Sequence, residues 1–310
     1  MMSFERTNAG RSLLSTEIQR SEGHFLSRQT ELFYQSWTPM ERGVPSARAT
    51  LVLTHGMGEH SESYVKSADA IARLGWNVIA WDLRGHGRSA GKRGHVDHFT
   101  DFTSDYSQLL LHLQKNNQLS LPFAFIGHSM GGLIVLKYLI DEAKDGASDD
   151  PKPRACVLSS PLLDVAIKVP LVKEFAAKVL NQVWPSLTLF NEIRGTDLTR
   201  DPEWLPTYEK DPLRHDKISP ALYEGMVETM KDVTLNADQV QLPICVLASG
   251  TDKIVSLPAT KVMFERLGSP NKKMIIYQDS YHEIFNDLER DKVFQDLNAF
   301  LSSVPGLEKK

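Results

Sequence analysis

Short apolar runs alternate along this chain with longer stretches whose apolar positions recur at helical spacing. Thr50–Thr54 (TLVLT) is the first run, and it ends at His55-Gly56. Residues 64–74 have helical spacing and stop at Gly75, and Asn77–Trp81 (NVIAW) is a second buried-looking strand. A helix follows over 101–113, with Thr100 or Asp101 as its candidate cap. Then come a strand over 123–126, a helix over 130–140 and a strand over 155–158. After a gap the pattern resumes with a strand over 244–248, a helix over 258–267, a strand over 273–277 and a last helix over 291–301. Such alternation predicts an α/β fold, a mostly parallel sheet with helices on both faces. Ahead of it, residues 25–37 suggest a pair of short strands. Residues 1–22 are polar and read as a flexible N-terminal segment.

Residues 161–238 break the alternation. Val172, Phe175, Ala176, Val179, Leu180 and Val183 form a helical stripe, ended by Trp184-Pro185. A looser stretch follows, through Trp204, Tyr208 and Pro212. A segment this short and this polar is poorly suited to a core of its own. A helical cap on the carboxyl edge of the sheet is expected instead, with residues 23–160 and 239–310 as the two halves of the α/β core. One face of the stripe, with Val169 and Leu171, can pack on the sheet. Most of these residues would serve packing, and the rest of the stripe would be left for a binding or contact surface.

Composition narrows the classes. The chain has 310 residues, 24% of them charged, and a net charge of −4, which excludes a disordered tail, a collagen-like chain and a coiled coil. No basic block marks a nucleic-acid groove, so no such partner is expected. The two cysteines, Cys156 and Cys245, sit in apolar runs and read as reduced core thiols. No run is long and apolar enough to span a membrane. The first residues carry Glu5, Arg6, Arg11, Glu17 and Arg20 rather than an apolar signal core. A cytoplasmic location is expected, with the cap as a candidate for peripheral contact with a membrane.

The strongest chemical signal is Gly127-His128-Ser129-Met130-Gly131, followed by Gly132. It fits G-x-S-x-G and falls between a predicted strand and a predicted helix. There a sharp turn pushes the serine hydroxyl out at the sheet's carboxyl edge, beside the free N–H groups of a helix start. A nucleophilic serine needs a base, and the base needs an orienting acid. Only His215 and His282 follow Ser129 in the chain. His215, between Arg214 and Asp216, reads as surface. His282 follows the 273–277 strand and is the expected base. Asp252 ends the 244–248 strand and is the expected acid, with Asp279 as a rival. Met57 and Met130 are the candidate backbone donors for an oxyanion. In Asp82–Ser89 the glycines lack phosphate-loop spacing. That segment reads as a turn in which Asp82 and Arg84 satisfy backbone groups. His55, Glu59 and His60 lack the further ligands a metal site needs, so neither metal nor cofactor is expected.

Taken together, His55-Gly56-Met57-Gly58-Glu59-His60-Ser61, the Asp82–Ser89 turn, Gly127–Gly132, Asp252 and His282 resemble the monoglyceride lipase and lysophospholipase branch of the α/β-hydrolases. The resemblance covers roughly residues 25–303. It implies the α/β-hydrolase fold and hydrolysis of a single-chain lipid ester through an acyl-enzyme on Ser129. Tyr208-Glu209-Lys210-Asp211-Pro212-Leu213 is similar to a cap segment of monoglyceride lipases. That likeness implies that Glu59 and Tyr208, with His128, lie near the bound head group. One departure concerns the head group: Glu62-Ser63-Tyr64 stands where that family often has an arginine. The run from Glu62 to Lys66, and Gly94-His95-Val96, look more like bacterial lysophospholipases. A monoacylglycerol ester is the leading expectation. A lysophospholipid or another carboxylic ester is the alternative, and a peptidase or a non-catalytic binding module is the more distant one.

Overall fold

In a computed structural model, the described residues are 16–119, 122–145, 150–166, 171–191 and 193–308. Their strands are β1 (Glu17–Ser27), β2 (Thr30–Glu41), β3 (Val44–Pro45), β4 (Thr50–Thr54), β5 (Asn77–Trp81), β6 (Phe123–His128), β7 (Ala155–Ser159), β8 (Leu189–Phe190), β9 (Lys217–Ile218), β10 (Ile244–Ser249) and β11 (Lys272–Tyr277). The helices are α1 (Val65–Arg73), α2 (Thr100–Lys115), α3 (Met130–Asp145), α4 (Leu171–Val183), α5 (Gly195–Leu198), α6 (Leu205–Lys210), α7 (Pro220–Leu235), α8 (Leu257–Arg266) and α9 (Arg290–Ser302).

The main sheet runs in the order β1-β2-β5-β4-β6-β7-β10-β11, with β3 pairing on β2. From β5 to β11 all pairings are parallel, while β1/β2 and β2/β5 are antiparallel. Each of β4, β5, β6, β7 and β10 is buried at every position, and polar only at its ends, because both of its faces are covered. Leu51 and Leu53 of β4 point into the core under α1 and α9, and Val52 points into the core under α2, α3 and α7. The same alternation divides Phe123 and Phe125 from Ala124 and Ile126 in β6. Cys156 and Cys245 fall on opposite faces and are free and buried, and burial pushes the Cys245 thiol up to about 12. The strand order reverses around β4, with β5 on one side and β6 on the other. That is the switch point where open α/β sheets bind ligands at their carboxyl ends.

Three expectations need correction. Residues 17–22 are not irregular. They continue β1, which pairs with β2 from Glu17↔Met40 to Ser27↔Thr30. As part of an edge strand they stay largely exposed, so their polarity hid the pairing. Secondly, the 161–238 segment is not a uniform insertion. Residues 220–235 form α7, whose Leu222, Met226, Met230 and Val233 belong to the main core. Ser219 caps that helix by accepting from Leu222 N–H, and Pro220 occupies its first turn. Thirdly, the α4 stripe does not lie on the sheet. Val172, Phe175, Val179 and Val183 are exposed, as are Trp184 and Phe190 beyond them. Val169 and the side chain of Leu171 lie outside the described residues.

Candidate active site

Ser129 sits between the last residue of β6 and the first of α3, with φ +51°. This left-handed conformation is costly for a residue with a Cβ. It is held by Ser129 N–H donating to the Ser159 carbonyl and by Leu162 and Leu133 N–H donating to the Ser129 carbonyl. The turn also needs α3 to approach β4 closely. A Cβ at Gly131 would collide with the carbonyls of Thr54 and His55.

Ser129 Oγ lies 2.9 Å from His282 Nε2, and His282 Nδ1 lies 2.9 Å from Asp252 Oδ2. The other carboxylate oxygen of Asp252 accepts from Ile254 N–H (2.8 Å) and Val255 N–H (2.9 Å). All three side chains are nearly inaccessible. Burial works against a charged imidazole, but the adjacent Asp252 carboxylate outweighs it and holds the His282 pKa above its ordinary value. Burial likewise opposes the Asp252 charge. Here His282 and the two backbone donors prevail, and the Asp252 pKa is lowered. The loop carrying His282 is pinned by Glu283 N–H donating to the Leu198 carbonyl and by Tyr281 N–H donating to Asp287. Asp279 is exposed, whereas Asp252 is the carboxylate in hydrogen-bond contact with His282.

The loop after β4 passes directly against Ser129: a Cβ at Gly56 would stand 3.0 Å from the Ser129 Cβ. Met57 is the next residue. Met130 opens α3, so its N–H is among the first-turn donors that lack an intrahelical acceptor. Gly58 takes φ +76°, and a Cβ there would strike the carbonyl of His215. His55 accepts from Leu83 N–H through Nε2 and donates through Nδ1 to the Gly56 carbonyl. Burial drives its pKa down to about 3.

The residues expected at the head group sit differently from one another. Glu59 is buried. Its Oε1 accepts from Gly56 N–H and from the Tyr64 hydroxyl (2.8 Å), so it braces the loop that carries Met57. His128 is also buried, with Nδ1 3.0 Å from Ser159 Oγ and its ring 4.9 Å from that of His282. Burial, then the neighbouring His282, lowers its pKa to about 3, so it stays neutral. Tyr208, on α6, is half-buried and faces the Arg214 guanidinium, 4.4 Å from its ring centre. His215 is not a free surface residue. It is half-buried, its ring lies 4.6 Å from that of His86, and burial lowers its pKa to about 4. In the Asp82–Ser89 turn, Asp82 accepts from Ser61 and Arg88 N–H groups, as a structural turn requires. Arg84 differs from expectation: it forks onto Asp105 with two 2.6 Å bonds rather than serving backbone. Arg214 and Glu283 were missed from sequence. Nothing in their spacing marks them, because they meet only when the cap closes over the sheet.

A mostly parallel sheet reversing at β4, helices on both faces and a serine on a strand-to-helix turn define an α/β-hydrolase. A family model described as serine aminopeptidase, S33, matches residues 45–289. A monoacylglycerol lipase of Mycolicibacterium smegmatis is 30% identical over 273 residues, covering 88% of this chain and 93% of the relative. A phospholipase of Bacillus subtilis is 28% identical over 253 residues, covering 81% and 94%. The crystal structure of Paleococcus ferrophilus monoacylglycerol lipase superposes with a TM-score of 0.74 at 28% identity, covering 93% of this chain and 99% of that one. This chain belongs to the S33 α/β-hydrolases, in their monoglyceride lipase and lysophospholipase branch.

Proposed function

We propose that this protein is a serine hydrolase that cleaves the carboxylic ester of a single-chain lipid, a monoacylglycerol in the first place. The observation that carries the reading is the hydrogen-bonded chain Ser129–His282–Asp252, placed on the turn at the carboxyl edge of the sheet. In this mechanism His282 Nε2 takes the Ser129 proton as Oγ attacks the ester carbonyl. Asp252 orients the imidazole and stabilises its cation. The N–H groups of Met57 and Met130 receive the oxyanion, each donor worth about 10²–10³ in rate. His282 then protonates the leaving alcohol. Water, activated by the same ring, releases the fatty acid and restores Ser129.

The lipid part of the reading is supported by the outward apolar face of α4. Val172, Phe175 and Val183 are each more than two-thirds exposed, which suits contact with a lipid surface. Among the described residues no helix is long and apolar enough to cross a membrane. The matching relatives named monoacylglycerol lipase and phospholipase support the ester class. The family description names an aminopeptidase, and the two buried carboxylates near His282, Glu59 and Glu283, would be natural partners for a substrate ammonium. Both already face Arg214, which favours an uncharged head group.

The test compares a monoacylglycerol with a lysophosphatidylcholine of the same acyl chain, using Ser129→Ala as the blank. Preference for the glycerol ester is expected. Preference for the phospholipid would move the assignment to a lysophospholipase. Cleavage of an amino-acid para-nitroanilide with neither lipid touched would make it a peptidase.

The raised His282 pKa gives a further expectation. Only the neutral ring can accept the Ser129 proton, so kcat/KM should fall as pH drops through that pKa. Because Asp252 lifts the pKa, the midpoint of the acid limb should lie above the model-peptide value of about 6.5. A pH–rate profile that is flat from pH 5 to 8 would remove His282 from the role of base.

A further inference from the structure

Three consecutive residues of the loop after β4 are held by the cap. His215 N–H donates to the Gly58 carbonyl at 3.0 Å. The Arg214 guanidinium lies 3.7 Å from Glu59 Oε2. His60 Nε2 lies 2.8 Å from Asp211 Oδ2. Arg214 also reaches the other side of the site, 3.3 Å from Oε1 of Glu283, the residue after His282. Its side chain is only 9% exposed, and the rings of Tyr208 and Trp204 lie 4.4 Å and 4.9 Å from it. One cap side chain therefore spans the loop that carries Met57 and the loop that carries His282.

The charges explain why this contact is more than packing. Glu59 Oε1 is committed to Gly56 N–H and to Tyr64, while Oε2 is buried, makes no hydrogen bond among the described residues and faces Arg214. Glu283 Oε2 accepts from Asn286, and its other oxygen faces the same guanidinium. Without Arg214, two buried carboxylates would share a site with no cation between them, an arrangement that is strongly unfavourable unless a proton moves onto one of them. Relief would come from movement of one loop or the other, and each carries a reacting group.

We propose that Arg214 is a positioning residue that ties the cap to both loops of the active centre, so that the seating of the cap sets the placement of Met57 N–H and His282. The proposal rests on the serine-hydrolase reading above. Its electrostatic consequence follows from the groups around the ring. His282 faces Asp252, Glu283 and Glu59, with the neutral His128 ring against it. Arg214 faces Glu283, Glu59, Tyr208 and Tyr64. Removing the guanidinium leaves the two glutamates unopposed and favours the imidazolium.

The experiment uses the full chain with para-nitrophenyl butyrate. Arg214→Met should lower kcat by about 10- to 100-fold, with KM held within about threefold, as expected for misplaced reacting groups. The acid limb of its pH profile should move to higher pH. Adding Glu59→Gln should bring the limb back toward the wild-type position, which a purely structural role would not do. Arg214→Lys should leave the limb in place and lower kcat by a smaller factor, because a point charge cannot serve both carboxylates as a planar fork does. A folded Arg214→Met with wild-type kcat and limb overturns the proposal. If Arg214→Met fails to fold, a wild-type kcat in Arg214→Lys overturns it. A wild-type enzyme that neither hydrolyses the ester nor labels with a fluorophosphonate overturns the serine-hydrolase reading and this proposal together. An active wild type matched by its Arg214 variants overturns this one alone.

Discussion

Ser129→Ala is expected to abolish ester turnover, with a loss in kcat on the order of 10⁴–10⁶. The hydroxyl is the attacking atom, and its recorded partner is His282 Nε2 at 2.9 Å. The backbone bonds that hold the turn run through the Ser129 N–H and carbonyl, which alanine retains. Alanine also meets the same left-handed φ that serine already accepts, so the melting temperature should change little. The check is threefold: kcat on a monoacylglycerol, labelling by a fluorophosphonate, and thermal unfolding of both forms. Labelling should vanish with activity while unfolding is unaltered. Residual turnover above about one percent would place the nucleophile elsewhere.

Asp252→Asn should cost about 10⁴ in kcat with the fold intact. One Asp252 oxygen is occupied by the N–H groups of Ile254 and Val255, and an asparagine carbonyl can keep those bonds. The amide NH₂ then faces His282 Nδ1, which must become an acceptor. That places the ring proton on Nε2, toward Ser129, where a base needs a lone pair. The same substitution removes the charge that lifts the His282 pKa, so the acid limb of whatever activity remains should shift to lower pH. Asp279→Asn is the control: the residue is exposed and should leave kcat unchanged. A loss smaller than about tenfold at Asp252, or an equal loss at Asp279, would reassign the acid.

The features that were legible in the sequence are those whose cause is local. A strand buried on both faces is apolar along its middle rather than alternating, so β4, β5, β6, β7 and β10 stand out as short runs. A serine forced into a left-handed turn between strand and helix needs small neighbours, so Gly127, Gly131 and Gly132 mark the turn around Ser129. Asp252 and His282 could be placed beside Ser129 because each follows a strand end, and parallel strands bring their carboxyl ends to one edge. The polar half of β1 was not legible because an edge strand is held by backbone pairing, which leaves no side-chain period. Helix α7 was hidden by the irregular segment before it, although Ser219-Pro220 is a start signal that could have separated the two.

What the sequence by itself determined, then, is the alternation that builds the sheet and the identity of the three residues gathered at its carboxyl edge. Tertiary structure alone decided the rest. It turned the α4 stripe outward, because α7 rather than α4 fills the helical layer against α3. It buried Glu59 as a brace under the loop that carries Met57. It also placed Arg214 between Glu59 and Glu283, residues far apart in the chain. The hydrophobic period reports which face of an element is buried. It carries no information about which buried charges will meet, because that depends on how the cap and the sheet come together in space.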